Sequence, residues 1–244
     1  MTFVLAAMVA FGAGVVKGTV GFAMPTIMIS GLSSLMAPEL ALAALLLPTL
    51  VTNGWQALRQ VPRAAWASIV KFRVFLIAGG VTMLFSAQLV PLLSMRALLL
   101  IIGVPIIIFA LLQLAGWAPR LARQHTGVEA GVGVFTGFIG GLSGVWGPPT
   151  VAYLTALDTP KVDQVRLQGA AFGLGAVLLV GGHVQSGILR LETAALSAMM
   201  LAPALLGMAV GLAIQDRIDQ RAFRRATLLV LLIAGANLIR RALV

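Results

Sequence analysis

Two glycine-rich stretches hold the residues best suited to chemistry, GVVKGTVGFAMP at 14–25 and GFIGGLSGVWGPP at 137–149. Both sit inside long apolar runs, where glycine weakens a helix and proline cannot continue one without cost. A helix broken at such a point and restarted beyond it aims unpaired backbone N–H groups, and the positive end of its dipole, at whatever occupies the gap. The chemistry on offer is therefore reversible anion binding. The expected donors are the backbone N–H groups of Gly21, Phe22, Gly144, Val145 and Trp146, the hydroxyls of Thr19 and Ser143, and the ammonium of Lys17. Asn53 and Gln168 are added as polar side chains on neighbouring segments. The competing reading of the glycines is close helix packing, which Gly14, Gly18, Gly137 and Gly141 suit by their spacing. Lys17 stands opposite Gly140 when the two stretches are aligned, so its contribution would be one-sided.

The elements that would position these residues are membrane helices. Of 244 residues, 60% are hydrophobic and 10% charged, against about 25% charged in soluble domains. Six runs have the length of ordinary spans, at 38–58, 64–90, 94–116, 160–183, 191–215 and 219–241. Pro38 and Pro160 suit the first turn of their helices. The apolar runs 3–36 and 127–157 would be about 50 and 46 Å long as straight helices, more than one crossing needs. Gly14, Gly18, Gly21 and Pro25 recur at a constant offset of 123 as Gly137, Gly141, Gly144 and Pro148, which marks an internal duplication. The expected architecture is an all-α integral membrane protein of two homologous repeats, 1–116 and 127–244, joined by a basic linker at 117–126. Each repeat has a Gly-broken first helix followed by three transmembrane helices. The first apolar run lacks a preceding basic residue and is expected to belong to the mature chain.

The net charge is +10, from 17 Lys+Arg and 7 Asp+Glu. Because the basic residues fall between apolar runs, they read as topology signals rather than as a nucleic-acid surface. If every run crosses once, the two sides hold nine and seven basic residues and no orientation emerges. If 3–36 and 127–157 enter and return on the same side, the counts become twelve and four. The twelve-charge side is then cytoplasmic and the repeats are inverted. Whether these runs are re-entrant or fully spanning stays open. In the inverted arrangement the two restarted helices would face one another near the midplane, a common substrate position in secondary transporters.

The carboxylates Glu39, Glu129, Asp158, Asp163, Glu192, Asp216 and Asp219 all fall at segment ends. Proton relays and cation sites usually have one at mid-membrane, so the pattern argues against a cation substrate and fits an anion. The chain has no cysteine, and His125 and His183 are far apart, which argues against a metal site and against thiol chemistry. No cofactor and no enzymatic activity are expected.

The two glycine stretches, each heading a four-segment half, resemble the sulfite exporter TauE/SafE family of anion permeases. The resemblance spans nearly the whole chain. It implies secondary transport of sulfite, an organosulfonate or a related organic anion across a bacterial inner membrane, without ATP. Partners would be the anion, membrane lipids, a coupling ion (H+) and a second copy of the chain. The family's fuller glycine cluster is replaced here by Phe22-Ala23-Met24 and Val145-Trp146-Gly147. An anion channel and a non-catalytic membrane subunit remain the alternatives.

Overall fold

The computed structural model describes residues 2–32, 34–59, 62–86, 95–117, 121, 124–143, 147–185 and 187–243. Helices account for the regular structure among these residues. They are α1 Thr2–Val20, α2 Met24–Leu32, α3 Pro38–Leu58, α4 Pro62–Lys71, α5 Arg73–Ser86, α6 Met95–Leu114, α7 Thr126–Ser143, α8 Gly147–Ala156, α9 Lys161–Gln185, α10 Leu191–Arg217 and α11 Gln220–Leu243. Four helices are long and apolar enough to cross a membrane among the described residues, or five if the bent pair α4–α5 is one span. The surface suits a lipid solvent. Leu84, Phe85 and Ile233 are 68%, 72% and 69% exposed, while Lys17, Asn53 and Gln168 are buried. A protein in water distributes these residue types the other way.

Two expectations need correction. The run 64–90 does not form one straight helix: α4 and α5 meet at Phe72 with a 73° bend. Lys71 and Arg73 flank that bend, and a charge within a span is costly. Buried positions 65, 68 and 72 follow helical spacing, with Arg63, Trp66 and Lys71 exposed. Such an amphipathic helix suits the interface better than the hydrocarbon. Pro160 lies just before α9 rather than in its first turn, its carbonyl accepting from Gln164 N–H at 2.9 Å.

The chain forms two compact units that cut across the sequence halves: Met1–Ala65 with Val165–Asp219, and Trp66–Gln164 with Gln220–Val244. In the first unit α1 packs along α10 on a seam of glycines. A Cβ on Gly18 would stand 2.8 Å from Gly211 Cα, and one on Gly14 2.9 Å from Met208 N. The packing role expected of Gly14 and Gly18 is what the structure shows. The core beside the seam joins Ala6, Ala10, Met24, Met28, Ala41, Leu45, Met200 and Ala204. Pro48 lies inside α3 and cannot donate to the Ala44 carbonyl four residues back. Ser197 of α10 bonds that carbonyl through its hydroxyl at 3.4 Å and accepts from Leu47 N–H at 3.0 Å.

In the second unit α5 and α7 close in the same manner. A Cβ on Gly137 would stand 2.7 Å from Gly79 Cα, and one on Gly133 2.7 Å from the Phe75 carbonyl oxygen. Gly137 thus has the packing role expected of it. Ser86 adds a hydrogen bond from its hydroxyl to the Gly137 carbonyl at 3.2 Å. Gly103 of α6 and Gly235 of α11 form a further close crossing. In each unit a glycine-bearing helix of one sequence half packs on a helix of the other half.

Candidate functional site

The polar residues that converge lie within the first unit, where α1 ends. The helix stops at Val20 and α2 begins at Met24. Gly21 adopts φ +90°, a left-handed conformation in which glycine carries no Cβ penalty, as at many helix C-termini. Ala23 adopts φ +74° without that freedom.

A helix end buried in protein must satisfy its last carbonyls. Two glutamines do so here. Gln56 of α3 donates from Nε2 to the Gly21 carbonyl at 3.0 Å and to the Val165 carbonyl at 2.6 Å. The Gln168 amide of α9 lies against the same segment. Oriented nitrogen-inward, it donates to the Val20 carbonyl at 3.2 Å and the Gly21 carbonyl at 3.0 Å. These amides hold the backbone turn in place. Gln168, expected at the anion, has its amide turned to the backbone instead.

The Gly21 N–H donates to the Lys17 carbonyl at 2.7 Å and is already used. Those of Phe22 and Ala23, which lie outside the helices, donate to no acceptor among the described residues. Phe22 is itself buried. Thr19, expected to offer its hydroxyl, donates to the Val15 carbonyl at 2.9 Å and to the Gly211 carbonyl of α10 at 3.4 Å. A hydroxyl four residues beyond a helical carbonyl commonly bonds back to it. Thr19 thus belongs to the α1–α10 seam.

Lys17 lies in the last turn of α1, where a cation is favoured by the helix dipole. It is 1% exposed. Its ammonium donates to Asn53 Oδ1 at 2.5 Å, and no Asp or Glu pairs with it among the described residues. Asn53, on α3, is also 1% exposed. With its oxygen turned to Lys17, its Nδ2 donates to nothing among the described residues. Gly173 of α9 leaves ordinary van der Waals room at this point, since a Cβ there would stand 3.7 Å from Asn53 Cβ. The cluster is thus rich in donors and contains a positive charge with a neutral acceptor. Burying an ammonium without a counter-charge costs several kcal/mol, and an entering anion offsets that cost.

Of the second glycine stretch, Gly144, Val145 and Trp146 lie outside the described residues, and Ser143 closes α7. Downstream, Tyr153 of α8 stacks on Phe75 with ring centroids 5.8 Å apart. Sequence reasoning named Lys17 and Asn53 separately. The 36-residue separation between them closes into a direct bond only in the fold. The clue to the role of Gln56 lay in its position one helical turn beyond Asn53, on the same face of α3.

The chain matches the sulfite exporter TauE/SafE family over residues 6–238. It belongs to that family. The match covers both glycine stretches and all eleven helices in whole or part. Members are membrane transporters of sulfur anions, so this is a multi-pass membrane protein and the expected family resemblance holds. No curated protein and no solved structure matches the chain.

Proposed function

We propose that this protein is a secondary transporter that carries a small sulfur oxyanion, sulfite or an organosulfonate, across the bacterial inner membrane. Its anion site is built on Lys17 and Asn53 at the end of α1. The observation that carries this reading is the buried Lys17 ammonium, bonded to a neutral amide oxygen and lacking a carboxylate among the described residues. An oxyanion supplies the missing charge and accepts from Lys17 Nζ, from Asn53 Nδ2 and from the unpaired N–H groups of Phe22 and Ala23. Charge-assisted bonds of this kind are about twice as strong as neutral ones. Gln56 and Gln168 fix the turn that aims those N–H groups. Protons are the proposed coupling ion.

Asn53→Asp tests this reading by charge. It places a carboxylate against Lys17, so the internal ion pair competes with the substrate. Uptake of labelled sulfite and sulfoacetate by proteoliposomes should collapse while the purified protein stays folded. Uptake at the wild-type rate and affinity in Asn53→Asp refutes the site.

A further inference from the structure

A second place on the molecule gathers positive charge around a cavity, far along the chain from Lys17. In the second unit a cavity of about 210 Å³ is lined by Lys71, Arg73, Val74, Gln124, Thr126 and Glu129. It lies under the 73° bend between α4 and α5. The beginnings of α5 and α7 reach it through Arg73 and Thr126, and the end of α4 reaches it through Lys71. Lys71 and Arg73 are exposed. Lys71 Nζ stands 5.5 Å over the Phe72 ring, and Arg73 donates to the Val70 carbonyl at 3.4 Å. Both cationic heads stay available to a ligand.

Glu129 is the one acid among the lining residues, and its charge is engaged. One carboxylate oxygen accepts from Phe75 N–H at 3.1 Å and the other from Gln124 Nε2 at 2.8 Å. Gln124 also donates to the Lys71 carbonyl at 3.0 Å. The carboxylate therefore ties α7 to the start of α5 and fixes the cavity wall. Formal charge at the wall is +1, from two cations and one carboxylate. A singly charged phosphodiester balances it.

The setting favours a lipid as the source of that phosphate. α4 is amphipathic, with Arg63, Trp66 and Lys71 exposed. Tryptophan and basic residues on such a helix mark the headgroup layer. Basic pockets at that depth take anionic headgroups. We propose that this cavity is a binding site for the phosphate headgroup of an anionic phospholipid, anchoring the bend that leads into α5.

The test is native mass spectrometry of the detergent-purified full chain titrated with phosphatidylglycerol or phosphatidylcholine, with a parallel arm containing millimolar inorganic phosphate. Wild-type protein should retain phosphatidylglycerol at least tenfold more strongly than phosphatidylcholine, and inorganic phosphate should not displace it. A direct ion pair between an exposed basic side chain and the bound phosphate contributes up to about fivefold. Lys71→Gln and Arg73→Gln should each weaken retention by about that factor, and the double variant by about twenty-five-fold. Arg63→Gln, exposed on α4 but outside the cavity, should change it less than twofold. The single variants keep the test intact should the double variant fold poorly. Equal retention of the two lipids overturns the proposal, as does an equal loss in Arg63→Gln. Displacement by inorganic phosphate overturns the lipid source in favour of a soluble anion.

Discussion

Replacing Gly21 by alanine perturbs the turn at the end of α1 in two separable ways. The first is conformational. Gly21 sits at φ +90°, and an L-residue in left-handed conformation loses about 1–2 kcal/mol. The second is steric. The new Cβ would fall on the Gln168 amide, with Val165 Cγ2 at 3.2 Å. The amide must move away and give up its bonds to the Val20 and Gly21 carbonyls, at about 1 kcal/mol each. Together these reach about 3–4 kcal/mol. For a chain of this length that lowers the melting temperature by roughly 6–16 °C, at about 2–4 °C per kcal/mol. Thermal unfolding in detergent, followed by circular dichroism, gives the comparison. Gln168→Ala supplies the control, because it removes the amide and opens room for the Cβ. The double variant should therefore be less destabilised than the sum of the singles, by about 1–2 kcal/mol. Additive losses, or a Gly21→Ala protein as stable as wild type, would refute the proposed grip of Gln168 on this turn.

Four further outcomes follow from the same geometry. Ala23→Gly relieves φ +74° and should raise stability by about 0.5–1 kcal/mol, the strain relieved less the greater freedom of glycine in the unfolded chain. Gly211→Leu drives a side chain into the Val15 and Gly18 backbone and should cost at least about 1–3 kcal/mol, measured by the same unfolding assay. Gln56→Leu removes the amide donor from the Val165 carbonyl and leaves the Gly21 carbonyl with that of Gln168 alone, with an expected loss of about 1–2 kcal/mol and a matching fall in transport. Ser197→Ala strips the Ala44 carbonyl beside Pro48 of its hydroxyl donor and should cost about 1 kcal/mol with no effect on substrate affinity.

Much of the helical layout was legible because apolar run length and proline position are local properties. The run 38–58 is α3, 191–215 lies within α10 and 219–241 within α11 with one residue's difference at its start. The bend at Phe72 was not legible. Lys71 and Arg73 are charges inside the apolar run 64–90, but their effect depends on where the helix meets the interface. The grouping of helices into units was hidden for a different reason. Glycine spacing marks a close contact without naming its partner, and the partners of Gly18 and Gly137 come from the opposite sequence halves.

At the proposed site, the type of Lys17 and its nearness to a glycine break suit an anionic ligand. The roles of Thr19, Gly21 and Gln168 came out differently because backbone acceptors nearby claimed their donors first. Competition of that kind depends on distances of a few tenths of an ångström, which spacing along a chain does not encode. Of the two N–H groups expected as donors at the first break, that of Gly21 is taken by the Lys17 carbonyl and that of Phe22 lacks an acceptor among the described residues, as does that of Ala23, which was not named.

The central claim is that Lys17 holds the transported anion. Two unit charges about 4 Å apart attract by about 4 kcal/mol at an effective dielectric constant of 20. After desolvation of the anion, about 1.5–3 kcal/mol remains for a charged hydrogen bond. The deciding measurement is the concentration dependence of labelled sulfite and sulfoacetate uptake by proteoliposomes bearing wild-type protein or Lys17→Met, a substitution that keeps the apolar stem. Saturable uptake by wild type, with KM raised about 10- to 150-fold in a folded Lys17→Met protein, is the predicted result. A Lys17→Met protein with the wild-type KM and rate would contradict the account.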